Sequence, residues 1–202
     1  MHRIHAPASG LVRLTAPLVT SVVVAAITLA PGAARADDTI KHPGDHPQYG
    51  VEIEPHVLFG WDDLFPGDSF GIGARFSIPI VDRGFVPTIN DTIAITFGAD
   101  LLHFEGCYVP GASCSANFLL IPVAMQWNFY VAHNWSVFGE PGIFIYHGFF
   151  DDCPPGVVCL SSPRETGIQP ALYVGGRYHF NDHVALTMRL GFPTVSVGVS
   201  FL

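Results

Sequence analysis

Basic residues are scarce in this chain: 9 lysines and arginines stand against 17 aspartates and glutamates. A surface that holds nucleic acid needs the opposite balance, so DNA and RNA are excluded as partners. Long apolar runs are missing beyond residue 36, and no stretch there approaches the roughly 18 residues that mark a membrane-crossing helix. Several catalytic signatures are absent as well. There is no G-x-S-x-G, no phosphate-binding loop, no His-Glu-x-x-His and no dinucleotide glycine fingerprint, which removes the chemistries those motifs carry. Gly71-x-Gly73 and Gly175-Gly176 lie inside extended segments, where glycine eases packing against neighbouring side chains.

What is present is apolar character, 49 % of residues, arranged in a regular pattern. At the N-terminus, Arg3 and Arg13 precede a 13-residue run of apolar and small residues, Leu18 to Ala30, and Ala34-Arg35-Ala36 follows as a small-x-small cleavage site. Residues 1–36 therefore read as a secretory signal peptide, too short in its apolar part to anchor as a helix. Its removal leaves 166 residues, one domain, with 6 basic and 17 acidic side chains and a net charge near −11. Residues 37–50, polar and rich in Pro and Gly, read as a flexible periplasmic lead-in. His42, Asp45 and His46 on it belong to a solvated tail rather than to a metal site.

From Val51 onward the chain repeats one pattern: about ten alternating residues, then a polar break. Eight segments result, at 51–60, 69–80, 91–104, 117–131, 134–146, 168–180, 183–191 and 194–202. In the last, Val195, Val197, Val199 and Phe201 alternate with Ser196, Gly198 and Ser200. In the first, Val51, Ile53, Val57 and Phe59 oppose Glu52, Glu54 and His56. A period of two puts such sets on opposite faces of a strand.

One face is bulky and apolar; the other carries small residues and single charges. Eight strands leave a barrel interior barely wide enough for side chains. The small, charged face therefore belongs inside and the apolar face outside, against lipid. A water-facing exterior would instead carry many Lys and Glu. Connections alternate in length accordingly: 61–68, 105–116 and 147–167 are long, whereas His133 with its neighbours and Asn181-Asp182 form short turns. The 81–90 connection and the 192–193 connection break that rule. The cysteines form two close pairs, Cys107/Cys114 and Cys153/Cys159, both in long connections. In an exported protein such spacing reads as disulfides, with pairing within each loop preferred and zinc disfavoured.

Strand count, loop asymmetry and the ending TVSVGVSFL resemble the small eight-stranded outer-membrane barrels of the OmpA/OmpX type, the outer membrane protein beta-barrel domain family. The resemblance covers residues 51–202. It implies an all-β, antiparallel up-and-down transmembrane β-barrel in the outer membrane of a Gram-negative bacterium. Its implied partners are outer-membrane lipid, lipopolysaccharide and the assembly machinery, and the barrel is expected to be a monomer. Family members end on an aromatic residue read during assembly; Phe201 takes that part here, offset by one because Leu202 follows.

The candidate site is the lumen. Glu52, Glu54, Asp100 and Glu140 share it with Arg75, Arg177 and Arg189, and charges in so narrow a space are expected to pair. A static lattice that fixes register is the favoured reading and a re-partnering gate the alternative. Glu140 with Arg177 is the expected pair, since both lie toward the inner half of neighbouring strands. An enzyme acting on lipid is the rival class, with His103, Glu105 and Ser115 as its best base, acid and nucleophile. A soluble periplasmic barrel binding an apolar ligand is a third. The sequence assigns no catalytic residue, no metal and no cofactor; the acidic turn 61–68 reads as a solvated loop. Aromatics are expected in two girdles, with Trp61, Phe65, Phe104, Phe149 and Phe150 on the outer side. Trp127, Phe129, Tyr130, Trp135, Tyr178 and Phe180 belong to the inner one. The function expected is structural, adhesive or narrow-pore.

Overall fold

A computed structural model describes residues 39–60, 69–105, 115–150 and 164–202, with the side chains of Glu105, Ser115, Phe150, Arg164 and Glu165 excepted. Eight strands follow a single 3-10 turn, Thr39–Lys41. They are β1 (Glu52–Gly60), β2 (Ser69–Val81), β3 (Asp91–Glu105), β4 (Ser115–Ala132), β5 (Trp135–Phe150), β6 (Arg164–Asn181), β7 (Val184–Phe192) and β8 (Thr194–Phe201). Each pairs antiparallel with the next, and β8 pairs with β1, closing an up-and-down barrel. All eight expected segments are present, most with ends shifted by only a few residues.

Alternation of burial follows alternation of sequence. In β1 buried and exposed residues alternate strictly from Glu52 to Phe59. Buried polar groups thus point inward while Val57, Phe70, Ile72, Leu101, Leu172, Val174 and Met188 stand outside, each close to half exposed or more. Every strand carries exposed bulky apolar residues, and closure gives each strand a partner on both sides, although β6 rises past the end of β7 so that residues 164–171 pair with β5 alone.

The two ends differ. At one end, here the turn end, β4–β5 and β6–β7 are joined by two residues each, 133–134 and 182–183. At the other, the loop end, Pro193 alone connects β7 to β8. The four central strands β3–β6 have 15 to 18 residues, whereas β1, β7 and β8 have 8 or 9. The barrel therefore has a tall wall and a low wall. A tilted strand crosses the hydrocarbon with about 9–11 residues, so the tall wall has length to spare.

The long 82–90 connection, an exception to the expected short turns, has a structural cause. It folds into a platform that holds the lead-in. Asn90, fully buried, donates its backbone N–H to Ile40 O at 2.7 Å and its amide Nδ2 to Asp45 O at 2.6 Å. Its Oδ1 accepts from Gly44 N at 3.2 Å and from His46 Nδ1 at 2.8 Å. From Thr39 onward the segment expected as a lead-in is docked on the barrel through these bonds.

Candidate functional site

The lumen is filled in two tiers. Toward the turn end and centre lies a lattice of ions. On β6, Arg177 donates from Nη2 to Glu52 Oε2 of β1 at 2.8 Å, and to Gln126 Oε1 at 3.0 Å. Its Nη1 reaches Asn128 Oδ1 at 2.7 Å. Gln126 passes the contact on, donating Nε2 to Glu140 Oε1 at 2.5 Å. Arg189 on β7 donates Nε to Glu140 Oε2 at 3.0 Å and Nη1 to Glu54. Arg75 on β2 donates to Asp100 Oδ2 at 3.1 Å and lies 3.8 Å from Glu140 Oε2. All seven of these charged residues are at most 3 % exposed.

The structure thus brings the seven expected lumen charges together, but not in the expected pairing. Glu140 pairs with Arg189, and Arg177 pairs with Glu52. Register explains the correction. Glu140 lies opposite Tyr173 on β6, whereas Arg177 lies opposite Ser136. That is four residues of offset, about 13 Å along a strand, more than a direct ion pair spans.

Side chains beyond the seven complete the lattice. His56 sits between two acceptors, with Nε2 3.0 Å from Asp100 Oδ1 and Nδ1 3.2 Å from Glu54 O. Phe138 gives both guanidiniums an aromatic face, 4.6 Å from Arg177 and 5.1 Å from Arg189. Its ring occupies the space above Gly175, where a Cβ would come within 2.2 Å of Phe138 Cζ. Gln126, Asn128 and Phe138 share the inward parity of the charged residues, so period-two alternation places them there. Nothing in the sequence marks them as bridges.

The second tier is apolar and lies toward the loop end. Leu58, Leu102, Phe104, Phe118, Leu120, Phe144, Tyr146 and Tyr173 form a buried cluster, with Phe192 packed against it. Phe144 is 1 % exposed and its ring centroid lies 6.0 Å from that of Phe192. Phe104, expected in the outer girdle, belongs to this plug because its parity points it inward. Tyr130, expected in the inner girdle, is likewise lumenal and 3 % exposed, stacking on His46 at 4.9 Å. Trp135, Tyr178, Phe180 and Phe149 face outward as expected.

The rival catalytic constellation is placed only in part. His103 faces outward, bonded from Nδ1 to Asn117 Oδ1 at 2.9 Å and set edge-on to Phe70. Glu105 and Ser115 lie opposite one another in the β3–β4 register. Among the described residues no group of His, Cys, Asp and Glu is arranged to hold a metal ion. Cys107, Cys114, Cys153, Cys159, the acidic turn with Trp61 and Phe65, and the expected signal peptide all lie outside the described residues. Phe201 ends β8, faces outward and pairs with Ile53 and Val184.

No family model matches the sequence, and no curated protein is significantly similar to it. Solved structures are similar in architecture. Ail, the attachment invasion locus protein of Yersinia pestis, in a complex with the heparin analogue sucrose octasulfate, matches at 12 % identity. The match covers 75 % of this chain and 95 % of that one, with a TM-score of 0.48. The outer membrane protein OprG of Pseudomonas aeruginosa matches at 12 % identity, over 79 % and 92 % of the two chains, with a TM-score of 0.48. The N-terminal beta-barrel domain of Pseudomonas aeruginosa OprF gives 12 %, 76 %, 98 % and 0.42 in the same order.

Proposed function

We propose that this chain is an integral outer-membrane barrel of a Gram-negative bacterium whose work is structural or adhesive, and that it is not an enzyme. One observation carries the reading: a closed barrel presents an apolar belt to its surroundings and keeps its charges inside. In water that arrangement would expose a large apolar surface; in lipid the belt meets hydrocarbon while the paired strands satisfy one another's backbone groups and the lumen shields its charges. A soluble barrel that stores an apolar ligand would have the reverse arrangement.

The tall wall supports the adhesive variant. On β3 and β6 the outward face changes from Leu101 and Ile168 to His103 and Thr166 toward the loop end, and on β5 His147 lies between Ile145 and the girdle residue Phe149. The strands thus rise beyond the apolar belt and would carry the connections 106–114 and 151–163 clear of the membrane. In this orientation the turn end faces the periplasm, each cysteine pair staples an exterior loop, and Phe201 serves as the assembly signal. A lattice of ions below and an aromatic plug above favour a closed lumen over the narrow-pore variant, and the ions then act as register pins.

Fractionation with electrophoresis tests this reading. The protein should be found in the outer membrane, migrate as a compact band unheated, shift on boiling and give no steady conductance in planar bilayers. A soluble periplasmic protein without a heat-dependent shift would overturn it.

A further inference from the structure

The docked N-terminal segment does more than fill space beside the barrel. Its Tyr49 places its hydroxyl under the lumen floor, hydrogen-bonded to Tyr130. His46 stacks on the same tyrosine with an interplanar angle of 15°. Between His46, Tyr49, Thr92 and Tyr130 a cavity of only about 10 Å³ remains, no more than one water's space. Directly inside this floor lie Asn128, bonded to Thr92 at 3.2 Å, and Arg177. A larger cleft of about 400 Å³ lies between the segment and His133, Asp182 and His183 on the two short turns. The segment therefore covers the β3–β4 side of the mouth and leaves room to swing away.

Asn90 makes four hydrogen bonds to the segment, and the chain bends at Gly44, whose φ is +92°. An L side chain rarely adopts that angle, and nothing lies within 4 Å of the position a Cβ would take. The bend thus depends on glycine for conformation and not for space.

We propose that residues 39–49 form a latch that seals the turn-end mouth of the lumen, with Asn90 as its catch. The two seals then differ in kind. The apolar plug at the loop end is built from barrel strands and opens only if the barrel deforms. The latch is a separate segment and can undock while all eight strands remain closed.

The test uses the refolded full chain in detergent with Thr92→Cys as a reporter, modified by a small charged methanethiosulfonate. The parent chain supplies the background from its own cysteines, and Gln48→Cys, exposed on the segment, sets the rate for an open site. Thr92→Cys should react far more slowly than Gln48→Cys. Adding Asn90→Ala or Gly44→Val should raise its rate at least about tenfold, as a local opening does, while heat-modifiability is retained. Trypsin cleavage at Lys41 should accelerate in parallel. Gly44→Val acts through the backbone of the segment alone, so it keeps the test informative if Asn90→Ala impairs folding. An unchanged rate at Thr92→Cys, with or without faster cleavage at Lys41, would overturn the latch, as would a reporter that matches Gln48→Cys from the start.

Discussion

Arg177 and Glu52, 125 residues apart, meet across the lumen at 2.8 Å although their strands, β6 and β1, are not neighbours in the sheet. The contact cross-braces the barrel. Both side chains are essentially unexposed, so removing one strands the other in a poorly solvating interior. Glu52→Ala should destabilise the folded barrel by about 3–5 kcal/mol, read as a lower urea midpoint in vesicles. Replacing both, as Glu52→Leu with Arg177→Met, should recover most of that loss. A double variant as unstable as the two singles summed would show that the two residues are not coupled.

Phe144 is the centre of the apolar plug. Truncation to alanine should cost about 3–5 kcal/mol through lost burial and an unfilled cavity. It should also open intermittent conductance in planar bilayers where the parent is silent. Loss of stability with continued silence would place the conduction barrier below the plug, in the ion lattice or at the turn-end latch.

Two strand glycines should respond in opposite ways. A Cβ at Gly98 would come within 2.2 Å of Ala74 O and 2.8 Å of Arg75 Cδ. At Gly139 nothing lies within 4 Å. Gly98→Ala should cost about 1–3 kcal/mol by overpacking, and Gly139→Ala should leave the unfolding midpoint close to that of the parent. Equal midpoints would mean that β2 yields easily to an added methyl.

Val174 stands outward near the middle of β6 and is 56 % exposed. In a bilayer it faces hydrocarbon, and Val174→Arg should destabilise insertion by about 2–4 kcal/mol. On a soluble barrel the same change would be near neutral, so the vesicle-folding midpoint separates the two environments.

Burial pushes the Tyr49 hydroxyl well above its ordinary range, with Tyr130 and Glu52 adding in the same direction. The sign follows from the neutral form being the docked one. Its stabilising contribution is complete below the ordinary tyrosine value, about 10, and is lost as pH rises through the elevated one. Trypsin cleavage at Lys41 should therefore accelerate only at strongly alkaline pH, and Tyr49→Phe should remove that Tyr49-dependent acceleration.

The eight strands and their two faces were legible in the sequence because a period of two is a local property. Val195 to Phe201 announce their orientation without reference to any other segment. The same parity could have placed the plug, since Leu58 continues the inward series of Glu52, Glu54 and His56, and Phe144 continues that of Glu140. Bulk and aromaticity drew attention to lipid instead. Phe104 and Tyr130, aromatic residues of inward parity at strand ends, read as girdle residues for that reason.

What the sequence alone determined, then, is a closed barrel with charges within and apolar side chains without, since backbone satisfaction and side-chain alternation leave little else. The tertiary structure decided which charges meet. Stagger between strands moved Glu140 away from Arg177 and delivered it to Arg189, and closure carried Glu52 round to β6. It also decided that a polar, proline-rich leader docks rather than drifts, because Asn90 can present its backbone and side-chain groups to that leader only after the 82–90 turn has folded.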